Sequence, residues 1–127
     1  MRIAIDTNAY VDFLKNNQSR VYVFREATEI LLPIIVLAEL RAGFASGNRS
    51  RNNEKSLAAF LNSPRVSILH IEEETTHRYA QVFAQLKSQG TAIPTNDIWI
   101  SAICLQHNLP LVSADKHFED IPQLQII

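Results

Sequence analysis

Cysteine is almost absent from this 127-residue chain, because Cys104 is the only one. A single thiol excludes an internal disulfide framework and a zinc site built from thiolates. Glycine occurs only three times and proline five times, and both are scattered along the chain as turn signals. The sequence therefore predicts no low-complexity segment, no repeat and no linker between domains.

Long hydrophobic runs are also absent. The longest apolar run covers residues 30–38 and ends at Glu39, whereas a membrane-spanning helix needs about 20 residues. The early apolar stretch is interrupted by Asp6, which argues against a signal peptide. We therefore expect a cytoplasmic protein with no membrane association. The length predicts one domain that covers residues 1–127.

An excess of charge of one sign is lacking as well, since the formal net charge is −1 at pH 7. The hydrophobic fraction of 46% and the charged fraction of 20% exclude a disordered chain. Nine of the 12 basic residues lie in the first 70 positions. This asymmetry is compatible with a local basic surface for nucleic acid and equally with an ordinary solvated surface.

What the sequence does contain is a regular alternation of short apolar segments with longer amphipathic ones. Strands are predicted at residues 2–5, 30–32, 66–69, 111–113 and 124–127. Helices are predicted at residues 8–16, 20–28, 34–42, 54–61, 73–89 and 96–106, with a polar turn at 45–53. Short apolar strands separated by helices predict an α/β sandwich with a mostly parallel sheet.

Several residues mark the ends and faces of these helices. Thr7 and Thr95 are predicted N-caps, and Gly90 is a predicted C-cap. Helix 96–106 is apolar nearly all round, which predicts deep burial. An apolar stripe on the first two helices is interpreted as ordinary core or as a groove for a partner helix, and the sequence leaves both open. This stripe consists of Val11, Leu14, Val21 and Phe24.

Four acidic residues stand in or beside segments that should be buried. Asp6 closes the first strand, and Asp115 follows a later strand by two residues. Glu39 interrupts an apolar helical segment, and Asp97 directly precedes Ile-Trp-Ile. Burying an ionised carboxylate without a partner costs several kcal/mol, and no Lys or Arg lies within these apolar segments. These acids are therefore candidates for a functional site.

The predicted topology brings three of these acids to one edge of the sheet. In a parallel sheet the carboxyl ends of the strands form the edge where ligands bind. Asp6 and Asp115 follow two such ends, and Glu39 lies about two turns into the helix after a third. Two carboxylates 4 Å apart repel each other by roughly 4 kcal/mol at an effective dielectric constant of about 20. A hard cation such as Mg²⁺ or Mn²⁺ would relieve that repulsion.

Each acid has a structural alternative when it is taken alone. Asp6 can cap the first helix, Asp97 can complement a helix dipole in the first turn, and Asp115 can be a turn residue. Glu39 has the weakest structural explanation. The joint pattern of all four acids favours a metal site over these separate explanations.

Other polar candidates give weaker signals. The four histidines show no metal-ligand spacing on one helix and are interpreted as structural, with His117 a partial exception because it follows Asp115 by two. Cys104 lies in the helix predicted to be buried and is interpreted as a small hydrophobic residue. Four basic residues are candidates for contacts with RNA phosphates, with simple solvation as the alternative. These are Arg41, Arg49, Arg51 and Lys116.

Four sequence blocks resemble the signature blocks of PIN-domain ribonucleases, and more closely those of the VapC-type toxins of prokaryotic type II toxin–antitoxin modules. They are Ile5-Asp6-Thr7-Asn8, Val36-Leu37-Ala38-Glu39-Leu40-Arg41-Ala42-Gly43, Asn96-Asp97-Ile98-Trp99-Ile100-Ser101-Ala102 and Ser113-Ala114-Asp115-Lys116-His117-Phe118. The resemblance runs from residue 3 to about residue 126. It implies a PIN-like three-layer α/β/α sandwich.

The resemblance also implies a site and partners. Four residues match the acidic metal-site positions of the family: Asp6, Glu39, Asp97 and Asp115. Three more match the polar positions around them: Thr7, Asn8 and Ser113, where Thr is common in the family. Such proteins are Mg²⁺- or Mn²⁺-dependent endoribonucleases that cut structured RNA, often tRNA or rRNA. They usually form homodimers and are inhibited by a cognate antitoxin.

The function predicted from the residues and the resemblance together is RNA hydrolysis by a metal-activated water. Asp6, Asp97 and Asp115 would hold Mg²⁺, while Glu39 would orient the attacking water or bind a second ion. The expected products carry a 5′-phosphate and a 3′-hydroxyl. Alternative hypotheses are a housekeeping RNA-processing nuclease of the same fold and a catalytically silent module that binds RNA or protein.

Overall fold

The structure is a computed structural model that describes residues 1–127, and it is an α/β fold with four strands and six α-helices. The strands are β1 (Arg2–Ile5), β2 (Glu29–Pro33), β3 (Val66–Leu69) and β4 (Leu111–Val112). The helices are α1 (Thr7–Leu14), α2 (Gln18–Glu26), α3 (Ile34–Ser46), α4 (Ser50–Leu61), α5 (Glu73–Gln89) and α6 (Thr95–Gln106). A short 3₁₀ helix follows at Lys116–Asp120.

The four strands form one parallel sheet in the order β3-β2-β1-β4. Consecutive residues of β1, Ile3, Ala4 and Ile5, are all at most 1% exposed. Because successive side chains of a strand point to opposite faces, both faces of the central strand must be covered by helices. This confirms the predicted α/β sandwich and its parallel sheet.

The register of β1 and β4 determines where the site forms. Ile5 pairs with Val112 in parallel, so Asp6 and Ser113 leave the sheet side by side at the same edge. The backbone N–H of Asp6 donates to the carbonyl of Val112 at 3.4 Å, which extends the pairing to the last residue before the helix. The carboxyl ends of the two strands therefore place an acid and a hydroxyl next to each other.

The last predicted strand, residues 124–127, is only partly formed. It is represented by a single parallel bridge between Leu111 and Ile126, with the Ile127 N–H donating to the Leu111 carbonyl at 2.8 Å. The reason is the length of β4, which has two residues. The Ser113 N–H still donates to the Ile127 carbonyl at 3.3 Å, but beyond Ser113 the chain turns into the site, so the terminal segment has only residues 111–113 to pair with.

Two helix boundaries also differ from the prediction. The predicted polar turn at 45–53 shrinks to residues 47–49, because α3 continues through Gly43 to Ser46 and α4 begins at Ser50. Helix α2 begins at Gln18 rather than Arg20, because the Asn17 side chain accepts the backbone N–H of Arg20 and caps the helix. The predicted C-cap at Gly90 is confirmed, with φ at 73°, a conformation that favours glycine.

The core confirms most of the predicted burial. Helix α6 buries every side chain from Ile98 to Cys104 except Trp99, which is partly exposed. Burial raises the pKa of the Cys104 thiol to about 12. The predicted apolar stripe is divided, since Phe24 is 1% exposed whereas Leu14 is 45% exposed. Of the two interpretations left open for this stripe, core therefore holds for Phe24 and not for Leu14, which is the last residue of α1 and is followed by exposed residues. None of the helices combines the length and apolarity that crossing a membrane requires.

Candidate active site

Asp6 is the most buried acid of the candidate site, with 5% of its surface exposed. It is the N-cap of α1, a role predicted for Thr7, and its Oδ1 accepts the backbone N–H of Ala9 at 2.8 Å. Its Oδ2 accepts the Ser113 hydroxyl at 2.5 Å. Burial raises the pKa of Asp6 above its ordinary 3.8, although both hydrogen bonds oppose the rise. Asp6 therefore caps α1, while the burial of its negative charge destabilises the fold.

Ser113 connects two of the acids. Its hydroxyl donates to Asp6 and accepts the backbone N–H of Asp115 at 3.0 Å. Asp115 in turn accepts the backbone N–H of His117 at 2.9 Å and so begins the 3₁₀ helix. The segment after β4 is thereby fixed against the end of β1.

Glu39 reaches the site from α3 and is held from two sides. Its Oε1 accepts the Thr7 hydroxyl at 2.7 Å, and its Oε2 accepts the side-chain amide of Asn96 at 3.4 Å. Thr7 is thus a positioning residue rather than a helix cap. Asn96 was not among the predicted site residues, although it precedes Asp97 in one of the sequence blocks.

Asp97 lies in the first turn of α6, where the helix dipole favours a negative charge. Its side chain is 13% exposed, and its Oδ2 lies 3.0 Å from Nδ1 of His117. Burial raises the pKa of Asp97 above 3.8, and the neighbouring carboxylates of Asp115 and Glu39 raise it further, while His117 lowers it. Asp115 and Glu39 therefore both lie close enough to Asp97 to disfavour its charged form.

The four acids converge on one cavity of about 180 Å³. They come from four separate segments of the fold, and Thr7, Asn8, Ile100 and Phe118 complete the lining. Asp97, Asp115 and His117 form a tighter group, whose ligand atoms all lie within 4.8 Å of one another. Carboxylate oxygens are the donors that Mg²⁺ and Mn²⁺ prefer, so the donor set fits a hard divalent ion.

The four basic candidates do not line this cavity. Arg41 is occupied by an ion pair with Glu54 at 3.1 Å. Arg49 and Arg51 lie in the exposed region where α4 begins, and Lys116 is exposed beside Asp115. Their role in RNA binding stays a prediction. His117, treated in the sequence analysis only as a partial exception among the histidines, lies beside Asp97 and Asp115, and its spacing of two from Asp115 was the signal.

Two apolar surface features lie away from the acids. One is a cavity of about 360 Å³ among α1, α2, α4 and the sheet, which we call the α2 groove. Its lining includes Phe13, Val21, Phe24, Arg25, Phe60 and Arg65. The other is an aromatic face on α5 and α6, where Tyr79 contacts both Phe83 and Trp99. Phe83 is 49% exposed on this aromatic face.

Comparison with known proteins gives a consistent answer. The model of the PIN domain matches residues 3–124. The chain is 35% identical to Ribonuclease VapC1 of Haemophilus influenzae, over 95% of this chain and 92% of that protein. It is 28% identical to Ribonuclease VapC2 of Rickettsia felis, over 94% of this chain and 92% of that protein.

Solved structures agree with these sequence matches. A chain in the crystal structure of VapBC2 from Rickettsia felis bound to a DNA fragment from their promoter matches with a TM-score of 0.86 and 26% identity. That match covers 100% of this chain and 98% of the other. A chain of VapBC-1 from nontypeable Haemophilus influenzae matches with a TM-score of 0.85 and 26% identity, covering 100% and 97% of the two chains.

Proposed function

Since the chain belongs to the PIN domain family and, within it, to the VapC ribonucleases, we propose that it hydrolyses RNA phosphodiesters as the toxin of a type II toxin–antitoxin module. The observation that carries this proposal is the convergence of Asp6, Glu39, Asp97 and Asp115 on one cavity. A module that only bound RNA or protein would gain nothing from a cluster of mutually repelling carboxylates. The substrate class is structured RNA, with tRNA and rRNA as the first candidates.

We propose Mg²⁺ as the cofactor, with Mn²⁺ able to replace it. Oxygen donors from Asp6, Asp97 and Asp115 surround the cavity and suit a hard cation. When bound, a divalent ion of this kind lowers the pKa of water and neutralises charge that develops on the phosphate. Burial raises the pKa values of Asp6 and Asp97, which means that their negative charges destabilise the metal-free fold. A bound cation would offset this destabilisation.

The remaining residues of the site act by holding these acids in place. The N–H of Ala9 and the hydroxyl of Ser113 fix both oxygens of Asp6. Thr7 and Asn96 hold the Glu39 carboxylate at the cavity, where it can orient the water that attacks the phosphate. Ile100 and Phe118 form the apolar part of the lining. The site is therefore organised by the fold before RNA arrives.

Replacing Ser113 tests this organisation. We expect Ser113→Ala to weaken divalent-ion binding by about 10- to 100-fold, because residues that orient metal ligands typically contribute that much. Ser113→Thr keeps the hydroxyl and should bind the ion like the wild type. Titration calorimetry with Mn²⁺ on both variants measures the difference. Equal affinity in all three proteins would show that the bridge to Asp6 and Asp115 is unimportant for the ion.

We propose that the α2 groove receives a segment of the cognate antitoxin. The matched structures are VapBC complexes, and the groove offers Phe13, Val21 and Phe60 to an apolar side chain. Arg25 and Arg65 line it as well. These two charges would favour an acidic residue in the docked segment.

We also propose that the protein forms a homodimer through the aromatic face. The Phe83→Arg variant should then elute as a monomer of 14.4 kDa, because a buried charge at the centre of an apolar interface is costly. Light scattering after size exclusion measures the mass. The matched control is Tyr22→Arg, since Tyr22 is 63% exposed on α2, away from this face. A dimer that survives Phe83→Arg would place the interface elsewhere.

The experiment that tests the proposed function is cleavage of tRNAs and rRNA fragments by purified, antitoxin-free protein. It is run with Mg²⁺, with Mn²⁺ and with EDTA. Cleavage at a few discrete positions that requires a divalent ion is the expected result. RNA binding without cleavage in any condition would favour the silent binding module. Ion-dependent cleavage without growth inhibition on expression would favour the housekeeping nuclease.

A further inference from the structure

The side chain of His117 faces two of the site acids at once. Its Nδ1 lies 3.0 Å from Oδ2 of Asp97 and 3.2 Å from Oδ1 of Asp115. The ring is held there by its own backbone, because the His117 N–H donates to Asp115 and the next residue, Phe118, is 1% exposed. The backbone of His117 is therefore anchored, and its half-exposed imidazole lies between α6 and the segment after β4.

One hydrogen bond from Nδ1 accounts for only one of these two contacts. Nδ1 carries at most one proton, directed along one line in the ring plane. That proton can serve Asp97 or Asp115 well, but the other carboxylate oxygen still faces the same nitrogen at close range. Three donor atoms that converge in this way are better matched to a central cation than to one proton.

The distances fit that arrangement. Adjacent ligands of an octahedral ion with bonds of about 2.1 Å are separated by about 3.0 Å. The two separations from Nδ1, 3.0 Å to Asp97 and 3.2 Å to Asp115, match adjacent ligand positions on one ion. In the tautomer that carries its proton on Nε2, the ring presents the Nδ1 lone pair towards this point.

We infer that Nδ1 of His117 is a direct ligand of the divalent ion, together with Asp97 and Asp115, so that the site binds its metal through nitrogen as well as oxygen. The inference rests on the proposed metal site and deepens it. Mg²⁺ favours an all-oxygen shell, whereas transition metals accept imidazole readily. Binding through His117 would thus shift the preference of the site from Mg²⁺ towards Mn²⁺.

Pulsed electron paramagnetic resonance of bound Mn²⁺ tests the inference without any reference to RNA cleavage. The full chain is prepared without a histidine tag and with ¹⁵N-labelled histidine, so that a coupled ¹⁵N nucleus identifies an imidazole ligand. We expect this coupling in the wild type and its loss in His117→Gln. The matched control is His77→Gln, because His77 is exposed on α5 and does not belong to the group formed by Asp97, Asp115 and His117.

Ion affinity provides a second readout. We expect His117→Gln to weaken Mn²⁺ binding by about tenfold or more, and to weaken Mg²⁺ binding less. Bound Mn²⁺ without histidine coupling would overturn the inference and leave the carboxylate site standing. Absence of any Mn²⁺ binding to the wild type would overturn the proposed metal site and the inference together. Circular dichroism of His117→Gln checks that its fold is unchanged.

Discussion

Asp97→Asn is expected to reduce ion-dependent RNA cleavage by about 10²–10³-fold, the loss typical of removing one group that stabilises charge in a transition state. The amide has nearly the size of the carboxylate but carries no charge. Asp97 faces Asp115 and Glu39 across the cavity, and its own Oδ2 lies in the group of converging donor atoms. The loss should appear in the cleavage step, because in the proposed metal site Asp97 binds the ion rather than the RNA.

The measurement is the single-turnover cleavage rate at saturating Mg²⁺ and again at saturating Mn²⁺. The matched control is Asp12→Asn, because Asp12 is an acid on α1 that does not line the cavity. The raised pKa of Asp97 means that its negative charge is a net cost to the metal-free fold, so the uncharged variant should remain folded at the assay temperature. Cleavage within tenfold of the wild type would mean that Asp97 serves only the helix dipole.

The strand ends of this protein could be predicted from its sequence, and with them three of the four acids. Asp6 and Asp115 follow short apolar segments, Glu39 lies about two turns into the helix after another strand, and a parallel sheet collects its carboxyl ends at one edge. The position of Asp97 depended on the joint pattern and on the resemblance to PIN-domain ribonucleases, because an acid in the first turn of a helix is equally explained by the helix dipole. The structure places all four at one cavity.

The contacts that hold the acids could not be predicted. Thr7 and Glu39 are 32 residues apart, and Asn96 and Glu39 are 57 apart. No local pattern connects such pairs, because they meet only after α1, α3 and α6 have packed. Thr7 was predicted as a cap for this reason: the sequence shows its place before a helix but not the carboxylate that takes its hydroxyl.

The partial loss of the last strand has a related cause. Apolar residues at 124–127 predict a strand by local pattern, but pairing requires a partner of similar length. Because β4 ends at Val112, the residues that would lengthen its pairing with the terminal segment belong to the site instead. The sequence shows that residues 124–127 favour a strand, whereas the length of the neighbouring strand decides how many of them pair.

The metal-free protein should be less stable than its Asp6→Asn variant at neutral pH. The raised pKa of Asp6 means that the native state binds this proton more tightly than the unfolded state does. Stability is therefore lost as the pH rises through the raised pKa and is recovered as the pH falls towards 3.8. The amide removes the buried charge. Its oxygen can still accept the Ala9 N–H, and its NH₂ group can donate to the Ser113 hydroxyl.

A divalent ion should reverse this order. At an ion concentration about 100 times the dissociation constant, binding to the native state alone adds about 2.7 kcal/mol to the wild type. Asp6→Asn should gain far less, because it has lost a ligand. Thermal unfolding in EDTA and in excess Mn²⁺ measures both states, and about 1 kcal/mol corresponds to a change in Tm of about 4 °C in a domain of this size.

Asp6→Asn should therefore have the higher Tm in EDTA, and the wild type should have the higher Tm in excess Mn²⁺. In EDTA the difference in Tm should shrink as the pH is lowered. The Asp12→Asn control should rank the same way relative to the wild type in both buffers. If Asp6→Asn were instead less stable in EDTA at neutral pH, the hydrogen bonds from Ala9 and Ser113 would outweigh the cost of burying the Asp6 charge. The fold would then be adapted to the bare carboxylate rather than to the ion.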